Sequence, residues 1–236
     1  MLKLGIGVIT CKRFNYLKKT LDSLYSYNPS LMELPLVIAD DNSHDETIDK
    51  MNHFWSNANI VHSKKRVGYP TNVANLILTA QRIGIDVLYW STNDIECIRL
   101  VDFESLVKFF DNPNVGQIQF IHWKGKLGDK KRERANYNWT TKNPIERETP
   151  VKVGSELLIP ANWSWTAYSQ MQRLNVGDFI GTAINKNPKK EKRMVEAEII
   201  MMNNWYNTGL KNYECQNQPF MNQDWKGDNN TGYEDV

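Results

Sequence analysis

The sequence predicts an α/β protein with a mostly parallel sheet flanked by helices. Three observations carry this reading. Short, β-branched apolar runs alternate with stretches of helical period through the first hundred residues. The connections between them are short, as in βαβ units. Polar residues gather just after the apolar runs, where a parallel sheet presents its carboxyl ends and where such sheets bind ligands.

Leu4 to Thr10 is apolar almost throughout and reads as a strand buried on both faces. Leu17, Leu21, Leu24 and Tyr25 form one helical stripe, which Asn28-Pro29 ends. Leu34 to Ala39 is a second strand. Ser43-His44-Asp45-Glu46 has the form of a capping box with Ser43 as N-cap, opening a helix that carries Ile48, Met51 and Trp55. Asn59 to His62 is a short third strand. After the break at Gly68-Tyr69-Pro70-Thr71, Val73, Leu76, Ile77, Ala80 and Ile83 mark a third helix. Val87 to Ser91 is a fourth strand, ending in Thr92-Asn93-Asp94.

The second half is less regular. Phe103 to Phe110 reads as a helix, and Val115 to His122 as a strand. Residues 123 to 150 read as a long loop, Val151 to Ile159 as one strand, and Ala161 to Arg173 and Glu191 to Asn207 as helices. From 214 to 236 the chain is rich in Asn, Gln, Gly and Asp and reads as a polar, disordered tail. The expected organisation is one domain over 1–236, with a ligand-binding half over 1–100 and a second half over 101–213.

Composition narrows the class. The chain has 236 residues, 41% of them apolar and 24% charged, as in globular proteins. Cys11, Cys97 and Cys215 are too few and too scattered for a disulfide framework, and none forms a C-x-x-C pair. With no apolar run long enough to span a membrane, a reducing, cytoplasmic setting without integral membrane contact is expected. The net charge of +2 names no partner, but Lys124 to Arg134 and Lys186 to Arg193 are basic runs. Such runs are solvated loops or phosphate contacts. No P-loop, dinucleotide fingerprint or G-x-S-x-G motif is present.

Four polar ends face one expected site: Thr10–Arg13, Asp40–Ser43, Arg66–Asn75 and Thr92–Glu96. Asp40 and Asp41 close the second strand, where a carboxylate can accept hydrogens from a ribose or a base. One Asp would serve a cap; a doubled Asp exceeds that need. Asp94 and Glu96 end the fourth strand and, two residues apart, face the same way; two carboxylates so placed suit Mg²⁺ or Mn²⁺ with substrate phosphates. A solvated turn is the plainer alternative. His122, at a strand end, is the one histidine near this rim and a possible further ligand; the other three are given no role. Glu196 and Glu198 open an apolar helical stretch, and at most one of them can point into a site. Trp163, Trp165 and Tyr168 suit either stacking or the core.

Taken in order, these segments resemble the GT-A fold glycosyltransferases, especially the family-2-like group. GVITCKRFNYLKKTLDSL resembles that family's first strand and helix, with Thr10 and Arg13 in the usual places. VIADDNSHDET is similar to its D-D-x-S-x-D-x-T, and KKRVGYPTNVANLIL to its Gly-rich turn and following helix, with Asn75 at the matching asparagine. LYWSTNDIE resembles the strand leading to the family's D-x-D, except that Thr92 stands where the first acid is usual and Asn93 is the middle residue. The resemblance implies a nucleotide-sugar donor, a UDP-sugar by preference, read by Asp40 and Asp41. It also implies a Mn²⁺ or Mg²⁺ ion on Asp94, help from Arg66 or Lys65 against the departing diphosphate, and Glu198 or Glu196 as the base for an acceptor hydroxyl.

The acceptor is expected to be a glycan. The alternative is DNA, engaged through 124–134 at a hydroxymethylated base, as a viral DNA-modifying enzyme would do. Rivals from other classes are a nucleotidyltransferase, whose G-x-G-T-R loop is absent here, and a non-catalytic sugar or nucleic-acid binder with a decayed metal site.

Overall fold

The structure is a computed structural model. It describes residues 1–120, 137–138, 143–144, 148–161, 169–176, 201, 203–216 and 219–222. The first half follows the expected alternation: β1 (Leu4–Thr10), α1 (Phe14–Tyr27), a 3₁₀ turn (Pro29–Glu33), β2 (Leu36–Asp41), α2 (Asp45–Phe54), β3 (Asn59–Ser63), α3 (Tyr69–Arg82) and β4 (Val87–Thr92). Next come β5 (Ile95–Cys97), α4 (Phe103–Phe109), β6 (Val115–Phe120), β7 (Tyr137–Asn138), β8 (Asn143–Pro144), β9 (Val151–Val153), β10 (Glu156–Ala161), β11 (Gln170–Arg173), β12 (Lys211–Cys215) and β13 (Phe220–Asn222).

Nine strands form one sheet in the order β3-β2-β1-β4-β11-β6-β12-β10-β9. Seven run the same way, and only β11 and β10 oppose them. The chain winds outward from β1 to β3, then returns to lay β4 on the other side of β1. That reversal is the topological switch point, and it aligns the carboxyl ends of β1 to β4.

Apolar side chains fill both faces. On one, Leu17, Leu21 and Leu24 of α1 pack with Met51, Tyr89, Phe103, Phe120 and Phe220. On the other, Val73, Leu76, Ile77 and Ala80 of α3 pack with Trp90, Met201 and Trp205. Burial from both sides explains why β1, β2 and β4 are apolar runs rather than alternating ones.

Five expectations need correction. Ser43 does not cap α2, whose N-cap is His44 with no side-chain hydrogen bond; Ser43 is turned toward Asp40 instead. Residues 151–161 are a hairpin of β9 and β10, because Gly154 takes φ +58 and turns the chain. Ala161 and Gln170–Arg173 are strand, not helix: Met171 enters the core while Gln170 and Gln172 face the other way, a period of two. The acids Asp94 and Glu96 do not share a strand end, since β4 stops at Thr92 and a turn precedes β5. Within 214–236 the described residues 214–216 and 219–222 are structured, because β12 pairs with β6, and β13 pairs with β5. Within 123–150 the described part includes an antiparallel pair, β7 with β8.

Candidate active site

The tips of β1 to β4 carry the polar groups that the sequence singled out. Register places Thr10 beside Asp40, Asp40 beside His62, and Thr92 beside Ile9. Asp40 is fully buried. Its Oδ2 accepts from the Ser43 main-chain N–H at 2.9 Å and lies 2.9 Å from His62 Nδ1. Its Oδ1 accepts from the Ser43 hydroxyl, whose oxygen accepts from the Lys12 N–H at 2.7 Å. Lys12 and Asn42 both adopt the left-handed region, at φ 58 and 66. Asp40 therefore ties together two tight turns, one after β1 and one after β2.

Asp41 reaches the other way. Its two oxygens accept from Val67 N–H at 2.7 Å and Gly68 N–H at 3.0 Å, clamping the loop that leads into α3. Asn75, from α3, donates to the Ser63 hydroxyl at 3.5 Å. Arg66 is exposed on the same loop. Its charge is felt at Cys11, just past β1: burial pushes that thiol's pKa up, Asp41 and Asp40 push the same way, and Arg66 and Lys12 pull it down. Thus Cys11 senses both carboxylates and both cations at one rim. Arg13 stands at the N-cap of α1 with its guanidinium 5.5 Å from the Tyr16 ring centre.

At the β4 tip, Asn93 Nδ2 donates to Thr10 Oγ1 at 2.9 Å, and the Asn93 carbonyl accepts from Thr20 Oγ1 at 2.8 Å. The middle residue of the Thr-Asn-Asp triplet is thus turned inward. Asp94 is half-buried, and its Oδ1 accepts from the Thr92 hydroxyl. Glu96 lies apart, 3.0 Å from Lys19 Nζ on α1. Among the described residues, no group of three or more His, Cys, Asp or Glu side chains is placed to hold a metal. A lone carboxylate still suits Mg²⁺ or Mn²⁺ when substrate phosphates supply other ligands, and Asp94 fits that pattern.

The structure brings together Thr10, Asp40, Asp41, Asn93 and Asp94, and seats Arg66 and Asn75 beside them. It adds Ser43, His62 and Asn72, to which sequence reasoning gave no such role. His62 was legible as a polar residue closing β3, and Asn72 as a polar residue in the first turn of a mostly apolar helix. His122, Glu196, Glu198, Trp163, Trp165, Tyr168 and the basic runs 124–134 and 186–193 lie outside the described residues.

This fold is that of the GT-A glycosyltransferases. The model of the family described as Glycosyl transferase family 2 matches residues 6–163, so the chain belongs to that family. Solved structures agree in fold. Staphylococcus aureus TarS superposes with a TM-score of 0.59 at 13% identity, covering 94% of this chain and 37% of that one. TarS 1–349 in complex with UDP gives 0.58 at 14%, covering 94% and 61%; the same fragment in complex with UDP-GlcNAc gives 0.57 at 13%, covering 96% and 60%. The present chain thus spans less than two thirds of each of these. No curated protein matches it in sequence. Among the described residues, no helix is long and apolar enough to cross a membrane.

Proposed function

We propose that the chain transfers a sugar from a nucleoside diphosphate sugar, a UDP-sugar by preference, to an acceptor hydroxyl. The observation that carries this is the bonding at the tips of β1 to β4, where Asn93 donates to Thr10, Asp40 holds the Lys12 turn through Ser43, and Asp41 holds the Val67–Gly68 loop, beside the turn that holds Asp94. Family membership supports it, as do the UDP and UDP-GlcNAc complexes of proteins with the same fold.

On this reading the nucleoside lies over the tips of β1 and β2, where Asp41 offers acceptors to base or ribose hydrogens. The diphosphate lies toward β4 and the turn that holds Asp94. A divalent cation on Asp94 would offset the negative charge growing on the leaving diphosphate. Arg66 or Lys65, on the loop after β3, is proposed on sequence grounds as a second positive group for the same oxygens. Glu198, or Glu196 in its place, is proposed on sequence grounds as the carboxylate that takes the acceptor's proton. The acceptor is proposed to be a glycan hydroxyl; the DNA alternative rests on the basic run 124–134 alone.

The test is release of nucleoside diphosphate from a panel of UDP-, GDP- and dTDP-sugars, with and without Mn²⁺. Release from one donor, falling by about 10²–10³ in Asp94→Ala at saturating metal, is expected. No binding or release with any donor would reject the reading.

A further inference from the structure

Asn72 sits in the first turn of α3 and is 3% exposed. Its Nδ2 donates to two main-chain carbonyls, Ala39 O at 3.0 Å and Thr10 O at 3.3 Å. Both partners are acceptors, so the amide can stand only this way round. Its Oδ1 is then left buried and meets no donor. A buried amide with an unmet oxygen is a poor way to fill space, and native proteins keep few of them without a reason beyond packing.

Thr10 carries the connection onward. Its hydroxyl oxygen accepts from Asn93, whose carbonyl accepts from Thr20 on α1. Thr10, Thr20 and Asn72 are each 3% exposed and Asn93 is 7%. A continuous buried tie therefore runs from β2, next to Asp40, across β1, through the turn holding Asp94, to α1. It crosses the switch point, where no strand-to-strand ladder can link β2 to β4 because β1 lies between them.

We propose that this tie is a positioning device with two separable ends. Asn72 sets the spacing of the β1 and β2 tips, and so the nucleoside end of the donor site. Thr20, acting through Asn93, sets where Asp94 stands, and so the diphosphate end. The inference rests on the proposed donor reading, but names residues that need not touch the donor themselves.

The two ends give opposite signatures. Dissociation constants for uridine and for UDP with Mn²⁺ are measured by calorimetry on the whole chain, alongside KM and kcat with the donor that the nucleotide-sugar panel selects. Asn72→Ala should weaken uridine and UDP by the same factor, tenfold or more, raising donor KM while kcat stays within about threefold. Thr20→Val, which keeps side-chain volume, should leave uridine within about twofold and weaken UDP with Mn²⁺ tenfold or more. Should Asn72→Ala fail to fold, Asn72→Ser takes its place, and the Thr20→Val result stands on its own. Equal losses of uridine and UDP in Thr20→Val, or unchanged uridine affinity in a folded Asn72 variant, overturn the inference. Wild-type protein that binds neither ligand overturns the donor reading and this inference together; wild-type binding with unsplit variants overturns this inference alone.

Discussion

Asp40 and Asp41 are chain neighbours whose carboxylates hold different things. Asp40 is enclosed by Ser43, His62 and, through Ser43, the Lys12 turn. Asp41 holds the Val67–Gly68 loop by two N–H groups. Asp41→Ala would strand both donors in a part-buried place and should lower unfolding free energy by about 1–3 kcal/mol in urea titration, with loss of UDP binding. Away from the site, Glu156 is fully buried and accepts two hydrogen bonds from the Arg99 guanidinium, at 2.9 and 2.7 Å. The Asp102 N–H and the Cys215 thiol donate to the same carboxylate. Burial pushes the Glu156 pKa up, but Arg99 and the other donors outweigh it and hold it below its ordinary 4.5. A depressed carboxyl stabilises the fold above its unfolded pKa, and that contribution is lost as pH falls through the lower folded value. Stability should therefore drop as pH falls below about 4.5. Glu156→Gln should flatten this part of the acid limb while costing about 3 kcal/mol at neutral pH, read from urea midpoints at several pH values.

At the scale of elements, what could be read from the sequence followed locality. The strands β1, β2 and β4 and helices α1 and α3 announce themselves, because each buries its own apolar run or stripe. Strands β5 and β13 have only three residues each, and their pairing joins Cys97 to Phe220 across the chain. No window of sequence holds such a partner, so composition alone suggested a disordered tail there. Phe220 is nonetheless 2% exposed, stacked 5.3 Å from Tyr89 and edge-on 5.1 Å from Phe120. Phe220→Ala should cost about 3–5 kcal/mol in urea unfolding, a loss that a disordered segment would not show. The β9–β10 hairpin was hidden by one residue. An ideal Cβ at Gly154 would stand 2.0 Å from Asp102 Oδ2 and 2.4 Å from Ser105 Oγ, with φ already positive. Gly154→Ala should lower the thermal midpoint, and the change should be visible as weakened amide protection across β9.

For the molecule as a whole, the rim at the tips of β1 to β4 was legible because its residues follow strands that the sequence shows clearly. The acceptor side was not, since its candidates lie in segments of weak periodicity, and Glu96 was misjudged by treating β4 as continuous through the Asp94 turn. The network that holds the rim was also invisible: the Asn72–Ala39, Thr20–Asn93 and Lys12–Ser43 contacts join residues far apart in the chain. A ligand gripped by this assembled rim stabilises every element that builds it. UDP at 100 times its dissociation constant should add about 2.7 kcal/mol, which for a chain of this size raises the thermal midpoint by roughly 5–10 °C. An unchanged midpoint would count against nucleotide binding at the rim.

The sheet order also has a consequence for how the protein is made. Strand β11, residues 170–173, lies between β4 and β6, both of which leave the ribosome earlier. At synthesis rates of about 5–20 residues per second, the 50 residues from Phe120 to Gln170 take roughly 3–10 s. Through that interval the facing edges of β4 and β6 await their shared partner. Nascent chains should therefore depend on a holding chaperone during this interval, and synonymous codons that speed translation of 121–170 should raise the soluble yield.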